Sequence, residues 1–587
     1  MRFMRPAALM LAALLLGTCC GCAEQSAPPE ESSAVTERIP ETVTAFAFTK
    51  EGVTKAADRF LPDYSQLAVT APEGAVIRYT LDGSVPTAES EEYKEPIVLK
   101  QYVGDFPNCA VLRAKVFFPD GSESQTATET FWTSYDIHSR FHNLIVSVVG
   151  DPKEITEKPD GIFYGKNVKL RGRESERAVS VEFVDQNGGL LLSQDAGMRI
   201  FGAASREAAL KSMKLFARKS YDPEHGKFAY DGFGTAGADG EVIAKYDKLV
   251  IRNGGNDFQF AFIRDELFQT LAKDAGHSEY EAVQPVVVYL NGSYYGVHWL
   301  HESVCNDLLE DKYGSVDGRG KYLVLEGKET EKTVPEDDAE EAAAAAEFNE
   351  TYAALSALDL TDDANYAQVC DFLDVQQYLE YFAYNIYINN NDWPQNNQKC
   401  YRYLAGEGEA YSEAEGDRRD GKWRFWYHDM DYSSSLYGQD ETQPEYDNLA
   451  EILKPGSKRY APLFAALMQR GECREAFRAE ITRLMEGALS AEHIRETLDA
   501  MNSARFTEMR RYFDNLEERK KEDKDIWIWY EEYQNRTNNI RKFADSRAEY
   551  MQKFLNASLP SLTAVPEDTS DTVPAETTGA ETTAAAS

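Results

Sequence analysis

The chain has 587 residues, with 62 Lys and Arg against 99 Asp and Glu, for a net charge of −37. That length allows a large buried core and several domains at roughly 150 residues each, and 43 % hydrophobic with 12 % aromatic residues excludes a mostly disordered chain. The acidity argues against wrapping nucleic acid or coating an anionic lipid surface, so any phosphate it binds must meet a local basic site.

At the N-terminus, Arg2 and Arg5 precede an apolar run from Ala7 to Leu16. The run is too short to span a bilayer and has the shape of a signal h-region. Gly21-Cys22 then resembles a bacterial lipobox, in which the cysteine is acylated; cleavage before Cys19 and a plain signal peptide are the rival readings. The resemblance implies a signal peptide over 1–21, lipidation at Cys22, and a protein held by that lipid on the extracellular face of the bacterial cytoplasmic membrane. Residues 22–45 read as a flexible linker and 557–587 as a disordered tail, both poor in apolar residues. Outside the signal region, Cys109, Cys305, Cys370, Cys400 and Cys473 are widely spaced and odd in number, with no CxxC among them. They predict isolated thiols rather than a disulfide scaffold or zinc site.

Residues 46–135 predict a small antiparallel β-sandwich. Val76–Leu81 is a strand closed by the turn pair Asp82-Gly83, and in 111–118 Leu112, Ala114, Val116 and Phe118 share one face while Arg113 and Lys115 take the other. The stretches IRYTLDGSVPTAES and LRAKVFFPDGSES resemble the chitobiase/β-hexosaminidase C-terminal-type module. That implies an accessory sandwich, a spacer or a glycan contact, without catalytic residues. Residues 67–134 are expected to fold on their own.

From 142 to 556 the pattern is α+β. Strands are predicted at 143–149, 178–184, 197–201 and 212–217, and a hairpin at 285–300 around Asn291-Gly292. Helices are predicted at 262–272 and 333–348, and the chain from about 375 is mostly helical. A strand-rich half followed by a helical half predicts two lobes with a ligand cleft between them.

The chemistry concentrates in 389–438. Asp392 and Asn397 have the spacing D-x4-N, and Asp429-Met430-Asp431 follows the strand-like WRFWY. Mg²⁺ takes hard oxygen ligands, and a separate carboxylate must accept the proton of an attacking hydroxyl. In the strand-rich half, Gly202 and Ser205 mark a loop where backbone approaches a ligand. On a strand, Lys211 and Met213 would point one way and Ser212 and Lys214 the other. Lys211 is the candidate phosphate-binding cation, with Glu302 as the carboxylate that orients it.

Together these stretches resemble the spore-coat protein H (CotH) kinase family. The resemblance is carried by LIVSVV at 144–149, Asp160–Phe163, RGRE at 171–174, Arg199-Ile200, Gly202, Ser205-Arg206 and Lys211-Ser212. It continues through Asn253, Asp257, Arg264-Asp265, YLNG at 289–292, Glu302, Asp392, Asn397 and Asp431. It implies a two-lobed, atypical protein-kinase-like domain after the sandwich, using ATP with Mg²⁺ or Mn²⁺ to phosphorylate serine in an extracellular or cell-surface protein. Carried over, Lys211 contacts the phosphates with Gly202, Ser205 and Glu302 beside it. Asp392 is the catalytic base, and Asn397 and Asp431 hold metal with Asp429 in support. His428, where the family has an aromatic residue, and the long Ser433-Ser434-Ser435 segment depart from the pattern. Two other functions compete: a non-catalytic cell-surface scaffold with a glycan-binding sandwich, and a glycoside hydrolase acting through a carboxylate pair.

Overall fold

The computed structural model describes residues 40–99, 107–315, 318–333, 339–438, 441–520 and 530–561. The signal segment, Cys22, most of the linker and the tail beyond residue 561 lie outside the described residues. Among the described residues no helix is long and apolar enough to cross a membrane, and the five cysteines carry no disulfide.

The first layer is a sandwich of a four-stranded and a five-stranded sheet. Its first strand, Thr42–Phe48, starts inside the stretch expected to be linker, because Ala45, Phe46 and Phe48 are core residues. In the strand Asn108–Phe117 the expected alternation holds: Leu112, Ala114 and Val116 enter the sandwich core. Arg113, expected on a solvent face, is buried and donates to the Gly83 carbonyl at 2.7 Å.

That face is covered because the sandwich is welded to the next domain rather than independent of it. Arg59 Nη2 lies 3.0 Å from Glu129 within the sandwich and 2.8 Å from Glu182 across the junction. The second Glu182 oxygen accepts from the Thr130 amide at 2.7 Å, and the Thr130 and Ser147 hydroxyls are 2.7 Å apart. Phe60, Trp132 and Phe141 pack with Val184, Val287 and Tyr289 beside this polar group. Removing the sandwich would take Arg59 from Glu182 and uncover the apolar side chains of Val184, Val287 and Tyr289.

Two glutamates facing one arginine also make the junction pH-sensitive. Burial, opposed by Arg59 and reinforced by Glu182, pushes Glu129 up from 4.5 to about 8. The folded state therefore binds the proton more tightly than the unfolded chain. Its stabilisation is complete below pH 4.5 and is lost as pH rises toward 8. Glu129→Gln should shrink the fall in Tm between pH 6 and pH 9; a fall as steep as wild type would refute the assignment.

The second unit is a closed seven-stranded barrel. Leu144–Gly150 pairs antiparallel with Arg177–Val184 and parallel with Val283–Leu290, which closes the ring. Leu190–Phe201, Ser212–Phe216, Lys248–Arg252 and Ser293–Glu302 complete it. The hairpin turn falls at Asn291-Gly292, both with positive φ as a tight two-residue turn requires. Met198, Met213, Leu249, Ile251, Val288 and Leu300 fill the interior.

The third unit is helical around a four-stranded antiparallel sheet of Glu331–Thr333, Lys321–Lys328, Gln398–Leu404 and Arg424–Trp426. The helix Val375–Tyr387 is buried over most of its length and packs with Phe425, Trp393 and Phe464. The N-caps Asp362 and Asp374 set where two helices begin.

Candidate active site

Strand register builds one wall of a cleft. Lys214 pairs with Arg199 on one side and Val250 on the other, and Val250 pairs with His301. Directly paired residues share a face, so these four stand in a row on the outside of the barrel, while Met213, Ile251 and Leu300 point inward. The shallow cleft they face is lined by Phe201, Lys214, Arg252, Glu281, His301, Lys399 and His428 among others. Burial, with Lys248 and Lys399 nearby, pushes Lys214 down to about 8. Lys214, Lys399 and Arg252 thus crowd positive groups onto one wall of the cleft.

The helical unit supplies the carboxylates. Beyond the strand Arg424–Trp426, Asp429 takes positive φ. Asp431 accepts from Arg252 Nη2 at 2.9 Å, from the Asn256 amide at 2.8 Å and from Asn256 Nδ2 at 3.0 Å. The same guanidinium binds Asp429, and its Nε lies 3.3 Å from Asp265. Gly255, at φ +58°, makes the approach possible: a Cβ there would stand 1.7 Å from Asp431 Oδ2. Asp392 accepts from Asn396 at 2.8 Å and from Asn397 at 2.9 Å. Its loop is tied to the aspartate segment by the Asn391 amide, which donates to the Tyr432 carbonyl at 2.8 Å.

The charges at this wall do not balance. Asp265, Asp429 and Asp431 converge on one guanidinium. Burial first, then the charge of Asp429, pushes Asp431 well above the carboxylate range. Burial also raises Asp392, with Asp429 adding to it. An oxygen-only donor set with surplus negative charge suits a hard divalent cation; Asp431, Asp429 and Asn397 could hold one.

Asp392, Asn397, Asp429 and Asp431 thus come together, and Lys211 does not join them. The Lys211 ammonium donates to the Arg206 and Ala208 carbonyls, both at 2.9 Å, on the face of the strand opposite to Lys214. Glu302 pairs in register with Leu249, one residue out of the His301 row, and accepts from the Tyr246 hydroxyl at 3.1 Å and the Ala282 amide at 3.0 Å. It therefore does not orient Lys211, but it lines the same cleft as Lys214. Gly202, at φ +99°, accepts from Arg206 at 2.6 Å and has the Ser205 hydroxyl folded against it. Both belong to the loop after the cleft residue Phe201, held shut on its own carbonyls.

Sequence reasoning missed Lys214, Arg252 and Lys399 as cleft residues. The alternation around 211–214 marked two faces, but only the register tells which face meets the aspartates. His428, noted as a departure, hydrogen-bonds Glu281 at 2.9 Å and lies 3.3 Å from Lys399. Burial resists the charge on Glu281, but His428 and His301 hold it well below the usual carboxylate range. The serine segment is closed by buried Arg264, which binds Asp257 and donates to the Ser435 carbonyl at 3.2 Å.

A sandwich, a barrel and a helical unit, with Arg252 of the cleft bound to Asp429 and Asp431, define a multidomain α+β protein. The family model for CotH kinase proteins matches residues 198–551, and the chain belongs to that family. The model described as Fn3 associated matches residues 66–131, within the sandwich. No curated protein matches the chain.

Proposed function

We propose that the chain is an atypical protein kinase, held outside the cell by a lipid on Cys22, that transfers the γ-phosphate of ATP to serine hydroxyls of cell-surface proteins. The observation that carries this reading is Arg252, which lines the cleft with Lys214 and Lys399 and binds both Asp429 and Asp431, while Asn397 donates to Asp392. Lys214 takes the role first assigned to Lys211 and neutralises phosphate oxygens. Asp431, Asp429 and Asn397 would hold Mg²⁺ or Mn²⁺, which would supply positive charge against the phosphates. Asp392 accepts the hydroxyl proton as the substrate oxygen bonds to the γ-phosphorus and the bond to the bridging oxygen breaks, releasing ADP. Burial raises the Asp392 pKa, which makes it a better base than an ordinary carboxylate. The kinase-like arrangement of lobes and the chitobiase-like character of the sandwich, with a glycan as its contact, belong to the same proposal.

One observation favours the non-catalytic scaffold as a second reading: Arg252 stands between Asp429 and Asp431, where an ion would bind. ATP binding and phosphate transfer to an acceptor protein separate the two. Wild type should bind ATP with Mg²⁺ and phosphorylate. Asp392→Asn should keep ATP affinity within about threefold and lose turnover by roughly 10²-fold or more. A wild type that binds no ATP would return the chain to the scaffold reading, and unaltered turnover in Asp392→Asn would remove that residue as the base.

A further inference from the structure

Behind the cleft wall lies a group that phosphoryl transfer does not use. The helix Arg264–Asp274 directs Asp265 and Glu266 toward His301 of the strand Ser293–Glu302. One ligand atom from each of the three falls within 4.8 Å of the others, and all three residues are buried. His301 Nε2 is 3.1 Å from Glu266 Oε1. The other Glu266 oxygen is buried with no hydrogen-bond partner, in a residue with no exposed surface. A buried carboxylate oxygen without a donor is costly, and a cation removes that cost.

The surroundings of His301 match those of a metal-binding imidazole. Its Nδ1 hydrogen-bonds Glu281 Oε2 at 3.1 Å. A ligating histidine almost always gives its second ring N–H to a carboxylate, which fixes the tautomer and leaves the other nitrogen free to coordinate. His301 also lines the cleft, which provides a way in. We propose that His301 Nε2, Glu266 and Asp265 form a second divalent-cation site, with Glu281 as the carboxylate behind the histidine. One imidazole with two carboxylates selects a borderline transition ion of the Zn²⁺, Mn²⁺ or Co²⁺ kind over Mg²⁺, which prefers oxygen alone. The site shares no ligand with the set Asp429, Asp431 and Asn397, although Arg252 touches both, reaching this one through Asp265, and it does not depend on the kinase reading.

Its place in the fold gives it a task. Asp265 Oδ1 accepts from the Met430 amide at 3.0 Å, between the two aspartates of the cleft. An ion bridging the helix to the barrel strand would fix Asp265, and through it the Asp429–Asp431 segment. The alternative state is metal-free, with the His301 ring hydrogen-bonded between Glu266 and Glu281.

The full-length protein, stripped with a chelator and kept in excess Mg²⁺ without nucleotide, is titrated with Co²⁺ and followed by equilibrium dialysis and visible absorption. One tight equivalent is expected for wild type and for Asp431→Asn, and none for His301→Ala or Glu266→Gln. Glu281→Gln should bind 10- to 100-fold more weakly. X-ray absorption on Co²⁺-loaded wild type should show imidazole nitrogen in the shell, which keeps the test open if the variants fail to fold. No tight equivalent on folded wild type, an equal equivalent on His301→Ala, or an oxygen-only shell would each overturn the site.

Discussion

Lys214→Met is expected to lower phosphate transfer by roughly 10²- to 10³-fold, the usual loss when a positioned group that stabilises developing charge is removed. It should also weaken ATP binding. The methionine keeps most of the stem's packing and removes only the ammonium, which lies in the cleft beside Lys399 and Arg252. Lys211→Met should behave in the opposite way. Its ammonium holds the Arg206 and Ala208 carbonyls and faces away from the aspartates. Its loss costs about 1–3 kcal/mol in unpaired carbonyls, read as a lower Tm, with ATP affinity within about threefold of wild type. Measuring affinity, transfer rate and Tm for both variants decides between them. Loss of ATP binding in Lys211→Met with a normal Lys214→Met would restore the first assignment.

Asp431→Asn should abolish the part of ATP affinity that depends on Mg²⁺ while leaving Tm unchanged or raised. The two halves of this expectation have one cause. Three carboxylates crowd one guanidinium, and burial and Asp429 already hold Asp431 well above its usual pKa. A neutral amide relieves that repulsion and withdraws a charged ligand at the same time. Gly255→Ala should reproduce the binding loss by a different route, since its Cβ would overlap Asp431 Oδ2 and the φ of +58° strains any side chain. ATP titrations with and without Mg²⁺, beside thermal melts, test both. Mg²⁺-dependent affinity that survives in both variants would take Asp431 out of the metal set.

The sequence made the local pieces readable. Alternation in 212–216, the Asn291-Gly292 turn and the apolar spacing of the helix near 264–274 each report on a residue's near neighbours, and each is found. The aspartate–asparagine spacing in the loop after residue 389 also brings Asp392 to Asn397 as read. What failed depends on register between distant strands. Lys211 and Lys214 are equally good lysines until Lys214 is set beside Val250 and His301. Arg252 ends an ordinary apolar strand, and nothing within that strand announces that Asp429 and Asp431 will close on it. Arg113 takes the face opposite the apolar residues of its strand, and nothing in that strand announces that its partner Thr128 will meet Ser180 of the barrel.

The closing pair of the barrel bears on where the protein can be cut. The family match begins at residue 198, inside the strand Leu190–Phe201 and after both Leu144–Gly150 and Arg177–Val184. A chain trimmed to that boundary would lose the strand that seals Val283–Leu290, whose residues 286–290 are all buried and apolar. The ring would open into a sheet with two bare edges, one of them a hydrophobic strand with unpaired amides and carbonyls, which is a template for joining the next molecule. The recognisable region is thus shorter than the region that can stay soluble. The least divisible unit starts with the sandwich, whose Arg59 is the counter-charge to Glu182 on the second barrel strand.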